Sequence, residues 1–190
     1  MKARKALALV TATVAAIAAT ALPAVAADTD ATVTLTSSGT LSVAVPDSSA
    51  APVNLGSTAV PTTASTFSST TFGTVTVDDT RAGTLGWTAT ATGTHFCIDS
   101  DTGTTAIECS SDTNQQILNT AITYKPGTFS VSLGDGTLLT GVDATLSVGS
   151  TVSYTGTGNS TVSWNPTLDF ALLATQVAGT YQGTITHNVS

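Results

Sequence analysis

The sequence is short of charge, and of positive charge above all. Lys and Arg together number five among 190 residues, against twelve acidic residues, and charged residues make up 9% of the chain. Three of the five cations, Lys2, Arg4 and Lys5, stand in the first five positions, so only Arg81 and Lys125 remain beyond them. So few cations offer no basic patch to nucleic acid or to an anionic membrane surface. Met occurs once and Glu only at Glu108. The scarcity of Lys, Glu, Arg and Met removes the ordinary helix formers and argues against much helix. Cysteine is confined to Cys97 and Cys109, and histidine to His95 and His187. Two thiols with one nearby imidazole fall short of a four-ligand zinc set. No HExxH pattern and no GxSxG elbow is present, so neither a zinc protease nor a serine hydrolase is indicated.

One long apolar run exists, and it is N-terminal. Met1–Lys5 carries the three cations, Ala6 to Ala21 is rich in Ala, Leu and Val, Pro23 follows, and Ala24-Val25-Ala26 offers small residues. Residues 1–27 therefore read as a secretory signal peptide cut after Ala26 or Ala27. A transmembrane anchor is the rival reading, but spanning takes roughly 20 apolar residues, and Thr11, Thr13 and Thr20 interrupt this run. Residues 28–190 hold two cations and all twelve acidic residues, a formal charge of −10. They are one domain's worth of chain, enough for a real core. No membrane span is expected after cleavage. No LPxTG signal or apolar tail precedes Ser190 and no Cys follows the signal, so covalent or lipid anchoring is not expected either.

What is abundant is Thr, Ser, Gly and Val, arranged with a period of two. Val33 and Leu35, then Leu41, Val43 and Val45, alternate with polar residues around Ser37-Ser38-Gly39-Thr40 and predict an opening hairpin. Residues 46–69 read either as a linker or as an extended loop docked by Val53, Leu55, Val60 and Phe67; the recurring apolar residues favour the loop. Val75 and Val77, a corner at Asp78-Asp79-Thr80-Arg81, then Leu85, Trp87, Ala89 and Ala91 read as a hairpin centred on Trp87. Residues 93–119 interrupt the pattern and hold both cysteines. They predict a disulfide-stapled surface excursion, with Cys97 bonded to Cys109 and a short helix over 113–119. Strand patterns return at Ile122–Lys125, at Phe129, Val131 and Leu133 up to Gly134-Asp135-Gly136, and at Ala144, Leu146 and Val148. Further strands follow at Val152 and Tyr154, at Val162 and Trp164, at Leu168, Phe170 and Leu172, and over Thr180–Val189. Many short alternating strands with regular turns predict an all-β antiparallel sandwich of Greek-key or immunoglobulin-like type.

The assembled order of motifs resembles a known family. Leu41-Ser-Val-Ala-Val-Pro46 is followed by Gly73-Thr-Val-Thr-Val-Asp-Asp-Thr-Arg81, Gly86-Trp87-Thr-Ala-Thr90 and Tyr124-Lys-Pro-Gly127. Trp164-Asn-Pro-Thr-Leu168 and Gly179-Thr-Tyr-Gln-Gly-Thr-Ile-Thr-His187 complete it. Across residues 28–190 this order resembles the WxL-type surface domains of Gram-positive bacteria, in particular secreted actinobacterial relatives. The resemblance implies a β-sandwich on the cell surface that associates non-covalently with peptidoglycan or another wall glycan and catalyses nothing. Two departures stand out. Trp87-Thr88-Ala89 replaces Trp-x-Leu, and the C-terminal strand Thr186-His187-Asn188-Val189 has no Trp. The alternatives are a subunit that self-associates through sheet edges or meets other surface proteins, and a soluble extracellular protein that has lost wall binding.

The candidate binding residues are Trp87, Trp164, Arg81 and Asp79. Each Trp reads first as core and second as a platform for a sugar ring. Asp79 and Arg81 read first as a corner-bracing pair and second as a grip on a wall-peptide carboxylate. No catalytic residue is assigned. Asp101-Thr102-Gly103 matches the aspartic-protease triplet in one copy where two are needed. Asp99-x-Asp101-x-Gly103 half-matches a calcium loop, with its Gly one position early, so weak Ca2+ binding at Asp99 and Asp101 is the one metal expectation.

Overall fold

Thr and Val, like other β-branched and aromatic residues, fit a pleated, half-buried surface well, and strand is what they form. The structure, a computed structural model, describes residues 32–36, 39–46, 48, 51–83, 85–98, 109–134, 138–156 and 158–190. The expected signal peptide, Asp99, Asp101 and the Asp101-Thr102-Gly103 triplet lie outside the described residues. The chain divides into residues 1–35 and a unit of residues 36–190, which holds every described strand.

The strands in chain order are β1 Leu41–Ala44, β2 Ser65–Ser69, β3 Val75–Asp79, β4 Trp87–Gly93, β5 Phe96–Ile98, β6 Gln116–Ile117, β7 Ile122–Lys125 and β8 Phe129–Leu133. They continue with β9 Leu138–Val142, β10 Ala144–Thr145, β11 Ser150–Thr155, β12 Ser160–Trp164, β13 Thr167–Leu172, β14 Tyr181–Gln182 and β15 Ile185–Val189. Two short 3-10 turns, Thr113–Gln115 and Asn119–Ala121, flank β6. No described helix is long and apolar enough to cross a membrane.

Four antiparallel ladders form, in the orders β1-β3-β12-β8, β10-β7-β13-β2, β15-β4-β11-β9 and β14-β5-β6. The first two run in series along shared chains. β2 and β3 flank β13 and β12 on one side, and β7 and β8 flank them on the other. Buried Pro126 and Pro166 interrupt this layer where β7 gives way to β8 and β12 to β13, because proline has no N–H to give a ladder. In the second layer β4 and β5 run beside β15 and β14. Val75, Val77, Val162 and Trp164 from the first layer share one apolar cluster with Trp87, Ala89, Ala91, Val152 and Tyr154 from the second. The fold is an all-β antiparallel sandwich, as the alternation predicts.

The connections differ from the expected hairpins. β3 and β4, on either side of the Asp78–Arg81 corner, belong to different layers and do not pair. β8 and β9 around Gly134, and β11 and β12 around Gly156, likewise part company. Among the described residues, the one pairing between strands consecutive in sequence is β5 with β6, across the cysteine excursion. At each of the unpaired links the chain passes from one layer to the other, as an arch does. Alternation says which face is buried but not which sheet the next strand joins, so a period of two fits an arch and a hairpin equally.

Four smaller expectations are corrected. Residues 32–36 form no strand, and Val33 and Leu35 are 85% and 91% exposed, so there is no opening hairpin; β1 pairs with β3 instead. Within the 46–69 loop Leu55 and Phe67 dock on the core and β2 forms, while Val60 stays exposed. Leu85 and Val148 lie outside the strands and are exposed, so neither shares the inward face of its neighbours. The cysteine excursion is not wholly superficial. Phe96, Cys97 and Ile117 are buried, because β5 and β6 extend the second layer before the chain leaves it.

Candidate functional site

The Asp79–Arg81 corner is a closed clamp. Asp79 Oδ1 accepts from the Arg81 backbone N–H at 3.0 Å and from Nε at 2.9 Å, while Oδ2 accepts from Nη2 at 2.8 Å. Nη2 also donates to the Gly86 carbonyl at 3.1 Å. The carboxylate is 2% exposed. The guanidinium's hydrogen bonds hold the Asp79 carboxyl below its ordinary range, against the opposing pull of burial. Ala82 follows at φ 51, in the left-handed region that side chains disfavour. At Gly86 an added Cβ would stand 2.0 Å from the Tyr154 carbonyl oxygen, so only glycine lets the arch enter β4. With the guanidinium fork already on Asp79, Arg81 braces this corner and does not stand free to grip a carboxylate in the wall.

Both tryptophans are core residues, each 3% exposed. Trp87 stacks on Tyr154 with ring centres 5.6 Å apart, and its indole N–H donates to Ser160 Oγ at 3.0 Å. Trp164 meets Phe129 edge-on at 6.0 Å and donates its N–H to Tyr124 Oη at 3.0 Å. Neither ring presents a face to a sugar, which corrects the platform reading. The inward faces of β4 and β12 leave the rings nowhere else to point.

Tyr124 carries this chain of bonds across the core. Its Oη lies 3.0 Å from His187 Nε2. Tyr124 is in the first layer and His187, on β15, is in the second. Burial raises the Tyr124 pKa, only partly offset by the Trp164 hydrogen bond. Burial lowers that of His187 to about 4. His187 Nδ1 is buried and has no hydrogen-bond partner among the described residues. The other imidazole, His95, accepts the Asn119 N–H on Nδ1 at 2.9 Å.

The remaining described cation is also committed. Lys125 Nζ lies 2.6 Å from Asp169 Oδ2 on the neighbouring strand β13. Lys125, and after it the Ser68 hydroxyl, hold the Asp169 carboxyl below its ordinary range. Cys97 and Cys109 are disulfide-bonded, with their Cα atoms 5.4 Å apart. Among the described residues no group of three or more His, Cys, Asp or Glu side chains could hold a metal ion.

A groove of ≈ 390 Å³ opens among the described residues where β8 lies beside the end of β12. Thr74, Thr128, Ser130, Ser163 and Asn165 give it hydroxyl and amide groups, and Phe129 with the edge of Trp164 gives it an aromatic wall. Thr74 Oγ1 donates to Asn165 Oδ1 at 2.7 Å across its rim. Of the expected site residues only Trp164 reaches this groove, and only as its wall. The sequence signals were Pro126-Gly127 and Asn165-Pro166. Each marks a break in a strand, and the register of β7, β8, β12 and β13 sets the two breaks side by side. No family model, curated protein or solved structure matches this chain.

Proposed function

We propose that the exported chain is a cell-surface domain that holds wall glycan non-covalently in the groove beside Phe129 and Asn165, as a binding module and not an enzyme. The observation that carries this reading is the groove's lining. Hydroxyl and amide groups beside an aromatic side chain are the mixture that sugars, with polar rims and apolar faces, require. Three further features support it. The N-terminal segment reads as a secretory signal, and a disulfide suits an oxidising exterior. Arg81, Lys125 and His187, which a hydrolase could have used, are committed to ion pairs or to the core. The two strands that the WxL resemblance singles out are hydrogen-bonded neighbours, with Ala89 opposite Val189.

The test is co-sedimentation of the secreted protein with purified cell walls. Wild type is expected in the pellet. Ser130→Arg, which fills the groove from an exposed position, and Asn165→Ala are expected to move it to the supernatant while circular dichroism stays unchanged. Wild type found wholly in the supernatant overturns wall binding. Undiminished binding by both variants overturns the groove.

A further inference from the structure

An unpaired strand sequence and an unguarded sheet edge occur in the same chain. Thr32-Val33-Thr34-Leu35-Thr36 alternates β-branched and apolar residues as a half-buried strand does. Yet residues 32–36 pair with nothing among the described residues, and Val33 and Leu35 are 85% and 91% exposed. At the other end of the first layer, β8 is an edge strand, paired among the described residues with β12 alone. Its sequence Phe129-Ser-Val-Ser-Leu133 contains no charge and no proline, the devices that ordinarily block strand addition. Phe129 and Val131 lie opposite buried Trp164 and Val162, but Val131 remains 37% exposed, Leu133 50%, and Val142 on the adjoining edge strand β9 54%. Among the described residues, no strand covers that flank.

We infer that residues Thr32–Thr36 of one copy add to the β8 edge of a second copy, with Val33 and Leu35 covering Val131 and Leu133. Both segments are five residues long, and both alternate. Chain length sends the donor to a neighbour. β1 and β8 are opposite edges of a four-stranded ladder, so a strand added beyond β8 lies four spacings, about 19 Å, from β1. The link from Thr36 to Leu41 reaches about 17 Å fully extended, and on its own copy it would have to pass around the layer as well. A neighbouring copy set edge to edge removes both obstacles. Donor and acceptor on opposite edges make a head-to-tail contact that propagates instead of closing as a two-fold dimer. This reading does not rest on glycan binding: the groove shares Phe129 and Ser130 with β8, but Asn165→Ala tests the groove away from that edge, and Val33→Asp/Leu35→Asp tests the donor away from the groove.

The experiment is sedimentation velocity of the secreted protein over a wide concentration range, with electron microscopy of the densest sample. Wild type is expected to form oligomers that lengthen with concentration. Val33→Asp/Leu35→Asp disables the donor and leaves the acceptor intact; Leu133→Lys does the reverse. Each alone is expected to be monomeric. An equimolar mixture is expected to form dimers and nothing longer, because one donor then meets one acceptor; this shows that the variant with the intact acceptor is folded, and an unchanged circular dichroism spectrum shows the same of Leu133→Lys. Wild type that stays monomeric throughout overturns the inference. So does assembly that survives in either variant. A disulfide forming within one copy of a Leu35→Cys/Leu133→Cys variant overturns it too, by showing insertion in cis.

Discussion

The indole N–H of Trp87 on β4 donates to Ser160 Oγ on β12, at 3.0 Å, and so joins the two layers of the sandwich through their shared core. Ser160 is 1% exposed. A hydroxyl in such a place is stable only while it is bonded, and the same holds for the indole N–H.

Ser160→Ala is expected to destabilise the fold by about 1–3 kcal/mol, because it leaves the indole N–H buried without an acceptor. Trp87→Ala is expected to cost about 3–5 kcal/mol, through the cavity left beside Tyr154. The double variant should cost less than the two single losses added together. Urea denaturation of the four proteins in the cycle measures this.

The bond between Tyr124 and His187 predicts an acid-sensitive fold. His187 titrates near 4 in the folded chain and near 6.5 when unfolded. Its neutral form belongs to the folded state, and protonation would place a charge on a ring whose Nδ1 is buried without a hydrogen-bond partner among the described residues. Stability from this group is therefore complete above pH 6.5 and is lost as pH falls toward 4, by about 3 kcal/mol in all. The groups facing it are Tyr124, Trp164 through Tyr124, and Phe72 at 5.8 Å, none of them charged. Denaturation midpoints between pH 7.5 and 4 should fall in wild type and fall less in His187→Phe.

The Asp79 clamp acts lower on the pH scale. Its carboxyl titrates below 3.8 when folded, so its contribution is present at neutral pH and fades only as pH falls below that value. Arg81→Ala leaves a buried carboxylate without its partner and should lower the melting temperature more than Arg81→Lys, which keeps the charge but loses the fork. Ala82→Gly should raise stability by about 0.5 kcal/mol, the relief of left-handed strain less the extra freedom of the unfolded chain.

Reduction of Cys97–Cys109 should cost about 3 kcal/mol, the loop-closure value for a separation of this size. Chemical denaturation with and without a phosphine reductant gives the difference directly. Because Phe96 and Ile117 anchor β5 and β6 in the core, the reduced protein is expected to stay folded, and its circular dichroism should change little before the transition.

Much of the fold was legible in the chain, and the manner of it is instructive. The alternation at Val75 and Val77, at Val152 and Tyr154, and at Leu168 and Phe170 named buried residues correctly, since one strand face must leave water whichever sheet it joins. The disulfide could be read from two cysteines twelve positions apart in an otherwise cysteine-free chain. The groove was not legible. It arises where two proline breaks, forty residues apart, are brought into register by β7, β8, β12 and β13.

By itself, then, the sequence determined an all-β chain, the identity of most core residues and the pairing of its cysteines, because strand periodicity and loop closure are local properties. Only the tertiary structure decided that the Trp87 corner is an arch and not a hairpin, that neither Trp ring presents a face to a ligand, and that Arg81 is spent on Asp79. It also decided that, among the described residues, Thr32–Thr36 pairs with no strand and β8 pairs along one edge alone. Each of these depends on which distant strand lies alongside, and that choice is made by the packing of two layers around one core.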